Sequence, residues 1–485
     1  MTFTACSDSA FTWQNQCDNI IMVTEGEVMR KKNSNDLQKI NGELLFTNKY
    51  LVKLMWPLFV EQLLIFAVGL LDSIMVASVG EAAVSAVSLV DSLMVLIINI
   101  MTALATGGAV VVGQYLGQRK GSEAKVAADQ LILFALLLSL VIIAVMYIFR
   151  ELIMSLIFGR IEADVAHYCD VYYLIVMASV PFISVYNAGA ALFRSTGNSK
   201  VSMKVSILMN MINVAGNAIL IYGLHRGVEG VAIPTLVSRI VAAVIIYILL
   251  RNSADEVHIS RKFVFRPQWD YIRKILRIGI PNSVENSMFQ LGKLILLSMI
   301  SAFGTASIAA NAVGNSVAMI AALPGMAMGY GIVSVISQCV GTGDYRQVEY
   351  YARKLMKWVY TTMLISNALI LLCTPFIIEI YGLSEETGRI AAHLMILYCL
   401  CAVLIWPLSF SLPHVLRASG DVTYTMIVGV GSMWIFRIVM GVILGRTLGL
   451  GVMGVWIAMI VDWIVRSICF CIRYRTGRWK HSAIS

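Results

Sequence analysis

The sequence predicts an all-α polytopic membrane protein in which twelve transmembrane helices form two six-helix repeats around a central cavity. Three observations support this fold class. The chain of 485 residues is 59% hydrophobic and 13% charged, whereas soluble proteins carry about 25% charged residues. Apolar runs of about 20 residues recur along the chain, and each is long enough to cross a bilayer as a helix. The second half of the sequence also repeats the first.

The repeat has an offset of about 224 residues and is carried by short motifs at the ends of the apolar segments. Membrane chains built from two like halves place a site between the halves and alternate the access to that site. The repeat therefore predicts a transporter. The matching motifs are Trp56-Pro57 with Ile280-Pro281, Gln114-x-x-Gly117 with Gln338-x-x-Gly341, and Arg194-Ser195-Thr196-Gly197-Asn198 with Arg417-Ala418-Ser419-Gly420-Asp421.

The elements follow one another in a simple order. Residues 1–50 are polar and are predicted to form a disordered cytoplasmic tail, and one hypothesis is that translation starts at Met29 rather than Met1. A cytoplasmic linker, 251–272, joins an N-lobe of helices 1–6 (51–250) to a C-lobe of helices 7–12 (273–472), which a basic cytoplasmic tail (473–485) follows. The predicted spans are 51–78, 84–115, 126–149, 166–191, 200–223, 228–250, 273–302, 306–338, 355–380, 391–415, 422–445 and 451–472.

Lys and Arg are distributed unevenly between the two sides of the membrane. Twelve spans put both termini on one side, and nearly all basic loop residues lie there. This bias predicts that both termini are cytoplasmic and that the protein lies in the plasma (inner) membrane. It also accounts for the net charge of +9 without a nucleic-acid partner. The other side carries only Arg150, Arg160, Arg226, Arg389 and Arg446.

Cofactor chemistry has no signature in the sequence. The nine cysteines and six histidines lack the spacing of a disulfide framework or a metal site. Cys399-x-Cys401 and Cys469-x-Cys471 lie inside apolar helices, where a thiol packs as a small apolar group. The Gly-rich stretches near 325–331 and 341–343 lack the Gly-Lys-Ser/Thr of a phosphate loop. We therefore expect no cofactor and no enzyme activity.

Several local patterns resemble the multidrug and toxic compound extrusion (MATE) family, over about residues 50–475. Helix 1 contains Gly69-Leu70-Leu71-Asp72-Ser73-Ile74-Met75-Val76, and helix 12 contains Trp456-x-Ala458-Met459-x-x-Asp462-Trp463-x-x-Arg466. With the motifs that end helix 2 and form the 4–5 loop, they are similar to the bacterial branch that has an N-lobe aspartate. The resemblance implies a V-shaped bundle and export of bulky, often cationic organic compounds in exchange for H⁺ or Na⁺.

Three polar residues in the outer half of the N-lobe form the candidate coupling site. Asp72 would bind Na⁺ or H⁺, or alternatively pair with a basic residue for structural reasons. Asn213 and Asn217 lie one turn apart on helix 5 at a similar depth, and amide oxygens suit a hard cation or can orient a carboxylate. Interhelical hydrogen bonding is the alternative. Related MATE proteins commonly carry Asp where Asn217 stands, so Asp72 is expected to be the main ion carrier.

The C-lobe has the opposite charge at equivalent positions. Lys293 on helix 7 and Arg437 on helix 11 occupy the repeat positions of Gly69 and Asn213. We hypothesise that these cations approach Asp72 in one conformation. Glu285, which shares a helical face with Lys293, either contributes to coupling or substrate binding or forms an ion pair within its lobe.

Three further sets of charges lie within the spans. Asp91 on helix 2 is expected to line the cavity or to bond to neighbouring serines. Asp462 and Arg466 are four residues apart on helix 12 and are expected to pair with each other. Arg239 on helix 6 has no evident partner in the sequence.

The predicted function is secondary export of a small organic compound across the lipid bilayer by a protein for which a monomer suffices. One alternative is a lipid-linked precursor flippase of the same wider superfamily; the twelve spans and the local patterns argue against it, whereas Lys293 and Arg437 keep it open. The other is a membrane enzyme, which would need His, Cys or carboxylates converging at one depth. The sequence does not identify the substrate or choose between H⁺ and Na⁺.

Overall fold

The computed structural model describes residues 44–158, 162–252, 258–259 and 266–483, and the described residues form helices without strands. Residues 52–485 form one compact unit. Of residues 1–51, only 44–51 are described, so Met29 and most of the predicted tail lie outside the described residues. The helices are α1 (Asn48–Ala77), α2 (Glu81–Gly117), α3 (Gly121–Ile148), α4 (Ala163–Met177 and Val180–Ser195), α5 (Ser199–Gly223), α6 (Glu229–Leu250), α7 (Trp269–Ser301), α8 (Thr305–Gly341), α9 (Tyr345–Ile380), α10 (Glu385–Ala418), α11 (Val422–Thr447) and α12 (Gly451–Arg475).

These helices confirm the predicted fold class of two six-helix repeats. Helices α2 and α8 each contain 37 residues, and their ends stand at the offset expected from the sequence repeat. Ten of the described helices are long and apolar enough to span a membrane, and the two parts of α4, bent by 45°, make an eleventh span. A short helix, Arg150–Phe158, lies between α3 and α4.

Helix α7 is the twelfth span and is unusually polar. Its 33 residues do not meet the apolarity that defines the other spans, because basic residues occupy its first turns and Glu285 and Lys293 lie further along it. A polar helix within a membrane bundle faces protein or a water-filled cavity rather than lipid. Its polarity therefore marks α7 as a helix that lines a site.

Several helices extend beyond the predicted apolar segments at the end of the bundle where α2, α4, α8 and α10 end. We call this the basic end, because Arg119, Lys120, Arg346 and Arg417 cluster there. Helix α9 begins ten residues before its predicted span because the side chain of Asp344 caps it, accepting a 3.0 Å hydrogen bond from the backbone N–H of Arg346. Hydropathy detects only the part of a helix inside the hydrocarbon layer.

The segment after α12 is folded rather than extended. A short 3-10 turn, Arg478–His481, returns toward α9, and Trp479 is only 1% exposed. Trp479 stacks on Tyr474 with ring centres 5.5 Å apart. Lys480 Nζ binds Glu349 Oε1 at 2.6 Å. This basic segment therefore belongs to the folded C-lobe.

Three helices carry the packing between the lobes: α2 packs on both α7 and α8. Gly107 allows the first of these contacts, since a side chain there would collide with the backbone of Ile275 and Gly279 on α7.

Among the described residues, four π-helical turns interrupt the regular helices, and such turns are frequent at functional sites. They are Ile219–Gly223, Pro407–Ser411, Met433–Val439 and Ile443–Thr447.

Candidate functional site

The N-lobe site brings Asp72 of α1 against two asparagines of α5. Asn217 Nδ2 donates to Asp72 Oδ1 at 2.7 Å. With the Asn213 amide oriented so that its nitrogen faces the carboxylate, Nδ2 lies 2.9 Å from Oδ1 and 3.3 Å from Oδ2, and its oxygen accepts from Thr235 Oγ1 at 3.0 Å. The structure thus assembles the three residues that the sequence analysis selected.

One buried atom in this site lacks a partner. Asn217 is fully buried, and its amide oxygen accepts no hydrogen bond from the described residues. Buried polar atoms are nearly always satisfied by protein, water or an ion. Because this oxygen belongs to the same amide that binds Asp72, the pair can present oxygen atoms to a hard cation, or the carboxylate can take up a proton.

A second carboxylate and a buried arginine complete the N-lobe site. Asp91 of α2 accepts a 3.0 Å hydrogen bond from Tyr172 of α4 and not from a neighbouring serine, and the lining of the cavity by Asp91 stays a prediction. Arg239 of α6 donates to Ser179 Oγ at 2.6 Å and lies within electrostatic range of both Asp72 and Asp91. Sequence reasoning missed Tyr172 altogether. Arg239 was detectable only as a charge in need of a partner.

The C-lobe site collects basic side chains around one aromatic ring. Lys293 Nζ lies 5.1 Å from the centre of the Phe289 ring, and the guanidinium carbon of Arg437 lies 5.3 Å from it. The guanidinium carbon of Arg466 lies 5.9 Å away. Three helices, α7, α11 and α12, therefore direct cations to the same ring.

Glu285 forms an ion pair within the C-lobe. Its Oε1 accepts from Arg417 Nη2 at 2.7 Å and from Arg466 Nη2 at 3.1 Å. The expected pairing of Asp462 with Arg466 is therefore wrong, because the carboxylate of α7 takes Arg466. The carboxylate of Asp462 instead lies 3.9 Å from Arg437 Nη1.

The contacts of the two sites remain within their own lobes. Asp72 binds asparagines of α5, and the ion partners of Arg437 and Arg466 are Asp462 and Glu285. An approach of Lys293 and Arg437 to Asp72 thus remains a prediction for another conformation. The two sites differ in charge: carboxylates and amides dominate in the N-lobe site, and cations dominate in the C-lobe site.

The repeated Gln-x-x-Gly motifs meet at the basic end. Each glutamine binds the end of a helix in the opposite lobe: Gln114 Nε2 donates to the Ala418 carbonyl at 2.9 Å, and Gln338 Nε2 donates to the Ser195 carbonyl at 2.6 Å. Gly117 and Gly341 lie against each other, and a Cβ at either would overlap a carbonyl of the opposing helix. The two lobes are therefore in close contact at the basic end.

Comparison with known proteins gives a consistent result. The MatE family model matches residues 57–219 and 281–443, one copy in each half of the chain. The uncharacterized transporter YisQ of Bacillus subtilis is 29% identical, over 88% of this chain and 94% of its own length. The probable multidrug resistance protein NorM of Thermotoga maritima is 23% identical, over 90% of this chain and 94% of its own length.

A solved structure has the same fold. It is a transporter of the MOP superfamily from Pyrococcus furiosus, and it matches with a TM-score of 0.82 at 22% identity, over 89% of this chain and 96% of that one. That protein is described as having a binding pocket of reverse polarity, which suggests a different function for it.

Proposed function

The protein belongs to the MatE family of membrane transporters, and from that premise we propose that it is a secondary exporter of organic compounds, driven by H⁺ or Na⁺. Organic cations are the class that the sequence resemblance implies. The observation that carries the proposal is the Asp72 carboxylate, to which Asn217 donates a hydrogen bond, while the buried amide oxygen of Asn217 has no hydrogen-bond partner among the residues that the structure describes. A membrane-embedded carboxylate of this kind is a functional residue by default.

The chemistry of this site supports ion coupling. A bound Na⁺ would take oxygen ligands from Asp72 and the amide of Asn217, whereas H⁺ would neutralise the carboxylate directly. Either event removes a negative charge from the N-lobe site. Asp91 of α2 and Arg239 of α6 lie within electrostatic range of Asp72. A change in the charge of Asp72 would therefore change its interactions with both helices.

The transport cycle we propose is alternating access. Substrate enters from the cytoplasm, the lobes rock to open outward, and the ion then binds at Asp72 and displaces the substrate. The interlobe contacts of Gln114 and Gln338 support a conformation that is closed at the basic end. The positive-inside rule supports a cytoplasmic location for the basic end and for both termini. Because one chain supplies both lobes, a monomer suffices.

One observation favours a second candidate, transport of an anionic lipid-linked precursor. Lys293 and Arg437 supply positive charge where a pump for organic cations has no need of it. The Pyrococcus furiosus transporter with a reverse-polarity pocket is a structural neighbour for which a different function has been suggested. Growth complementation of a flippase-deficient strain would test this candidate.

The export proposal is tested by efflux of ethidium from pump-deficient bacterial cells that express either wild type or Asp72→Asn, with Na⁺ and pH gradients imposed separately. Gradient-driven efflux that is lost in Asp72→Asn supports the proposal and identifies the ion. Efflux unaffected by the substitution removes Asp72 from the mechanism. An absence of efflux under either gradient favours an anionic or lipid-linked substrate.

A further inference from the structure

We infer that the C-lobe contains a binding site for the anionic group, a carboxylate or a phosphate, of an apolar or aromatic ligand, formed by Lys293, Arg437 and the ring of Phe289. This inference rests on the proposed transport function. It replaces the organic cations that the resemblance implies with organic compounds that carry an anionic group as the expected substrate class.

The first argument is an excess of positive charge. The cluster contains Lys293 and three arginines but only two carboxylates, Glu285 and Asp462. Glu285 is already shared by Arg417 and Arg466. No carboxylate among the described residues forms an ion pair with Lys293, which lies within electrostatic range of Arg437. Like charges held together inside a membrane bundle repel each other unless an anion joins them.

The second argument is the number of unused hydrogen-bond donors. The Nε atom of Arg437 and the Nε and Nη1 atoms of Arg466 are buried and have no hydrogen-bond partner among the described residues. Arg466 as a residue is only 3% exposed. A guanidinium offers five N–H donors in a fork that matches a carboxylate or a phosphate. Donors left open at a buried position indicate a site for an acceptor group.

The third argument is that the ion pair with Asp462 leaves the hydrogen-bonding capacity of Arg437 unused. Its Nη1 atom lies 3.9 Å from Asp462 Oδ2, beyond hydrogen-bond distance, and neither oxygen of Asp462 accepts a hydrogen bond from the described residues. The equivalent helices of the other lobe form without these cations. Gly69 and Asn213, both uncharged, occupy the positions of Lys293 and Arg437 in the other lobe.

The fourth argument concerns the surroundings of the charges. Glu285, Phe289 and Lys293 follow at four-residue intervals and share one face of α7. Phe289 contacts Phe410 edge to face at 6.4 Å, and Phe410 contacts Trp463 at 5.8 Å. Arg437 itself lies in the π-helical turn Met433–Val439, a feature that often re-aims side chains at functional sites. Lys293 and Arg437 therefore lie beside a cluster of aromatic rings.

The test compares two probes with the same ring and opposite charge. The purified full-length protein in phosphatidylcholine nanodiscs is dialysed to equilibrium against radiolabelled 2-naphthoate or 2-naphthylmethylammonium, and the signal of empty nanodiscs is subtracted. Wild type is expected to bind the naphthoate at least about tenfold more tightly. Lys293→Met and Arg437→Gln should each weaken its binding at least about tenfold, which corresponds to the loss of one charge-assisted hydrogen bond.

Three further variants make the result specific. Lys293→Arg keeps the charge and should retain binding of the naphthoate, while Lys204→Met and Arg226→Gln remove exposed cations elsewhere and should leave it unchanged. Equal affinity of wild type for the two probes would overturn the inference. So would naphthoate binding that survives in both Lys293→Met and Arg437→Gln. Lost binding that Lys293→Arg restores excludes misfolding as the cause.

Two further comparisons extend the test. The first distinguishes a lipid headgroup from a soluble organic anion as the ligand, and the second distinguishes failure of this inference from failure of the proposed function. If phosphatidylglycerol in the nanodisc competes with the naphthoate, a lipid headgroup occupies the site; if it does not, the natural ligand is a soluble organic anion. Both outcomes support the anion site. The binding assay needs no ion gradient, so selective naphthoate binding without gradient-driven transport of the naphthoate itself would retain the site and reject the exporter. Gradient-driven efflux of ethidium without selective naphthoate binding would retain the exporter and reject the site.

Discussion

Arg417 binds Glu285 with 2.7 Å between Nη2 and Oε1, and the sequence repeat places an equivalent pair in the other lobe, where Arg194 Nη1 lies 3.2 Å from Glu61 Oε1. Each pair joins the first helix of its lobe to the end of the fourth. The third partner differs: Arg466 of α12 also binds Glu285 in the C-lobe, whereas Ser202 of α5 also donates to Glu61 in the N-lobe. A single carboxylate thus ties three helices of the C-lobe together.

We expect Glu285→Gln to destabilise the protein by about 3–5 kcal/mol, because breaking a buried ion pair leaves uncompensated buried charge. Glu61→Gln should have a smaller effect, since Glu61 pairs with one arginine and also accepts from Ser202 Oγ at 3.0 Å. The measurement is the melting temperature in detergent. Glu349→Gln, which removes a half-exposed partner of Lys480, is the control and should cost no more than about 1 kcal/mol. Equal effects for Glu285→Gln and Glu349→Gln would contradict the expectation.

Asn217→Leu is expected to raise the ion concentration for half-maximal efflux by about 10- to 100-fold, since a hydrogen bond to a charged group contributes about 1.5–3 kcal/mol. The substitution removes the donor to Asp72 and keeps the branching at Cγ. Asn367→Leu is the matched control, because Asn367 is also fully buried but donates to the Met363 carbonyl on its own helix. It should lower stability without changing the ion dependence. A shift of the same size in both variants would show that Asn217 has no special part in ion binding.

The sequence predicted the helices and the repeat well because both depend on local properties. Apolar runs define spans, and the offset of 224 relates Glu61 to Glu285 and Arg194 to Arg417. The N-lobe site could also be selected, since Asp72, Asn213 and Asn217 are costly residues at similar depths. Depth along a helix follows directly from the residue number.

The sequence predicted side-chain partners less well. Asp462 can reach Arg466 on its own helix, yet Arg466 binds Glu285 on α7, because that choice depends on how the helices are rotated against each other. Asp91 has serines nearby in sequence but binds Tyr172, 81 residues away. Hydropathy identifies only the segments inside the membrane. It therefore could not predict that Trp479, which follows α12 in the chain, is buried.

Trp479→Ala should destabilise the C-lobe by about 3–5 kcal/mol, the usual cost of removing a buried aromatic side chain. The ring is 1% exposed, and its Nε1 donates to the Tyr474 carbonyl at 2.9 Å. Hydrogen exchange of the first turns of α9 would report the loss, because the Tyr345 hydroxyl binds the carbonyl of Lys480. Trp269→Ala, at a 69% exposed tryptophan, is the control. Unchanged exchange in Trp479→Ala would mean that the segment does not stabilise α9.

The last prediction concerns the contact between the lobes at the basic end, where Gly117 and Gly341 allow α2 and α8 to touch. We expect Gly117→Ala to open this contact, since the added methyl group would overlap the Gln338 carbonyl oxygen. Backbone amides near 114–119 and 338–343 should then exchange hydrogen faster, and efflux should fall. Gly121→Ala adds the same group where no atom lies within 4 Å, and alanine favours a helix over glycine in both variants. Faster exchange in Gly117→Ala alone would therefore come from the collision. Equal exchange in both variants would mean that the contact tolerates a methyl group and does not close the basic end.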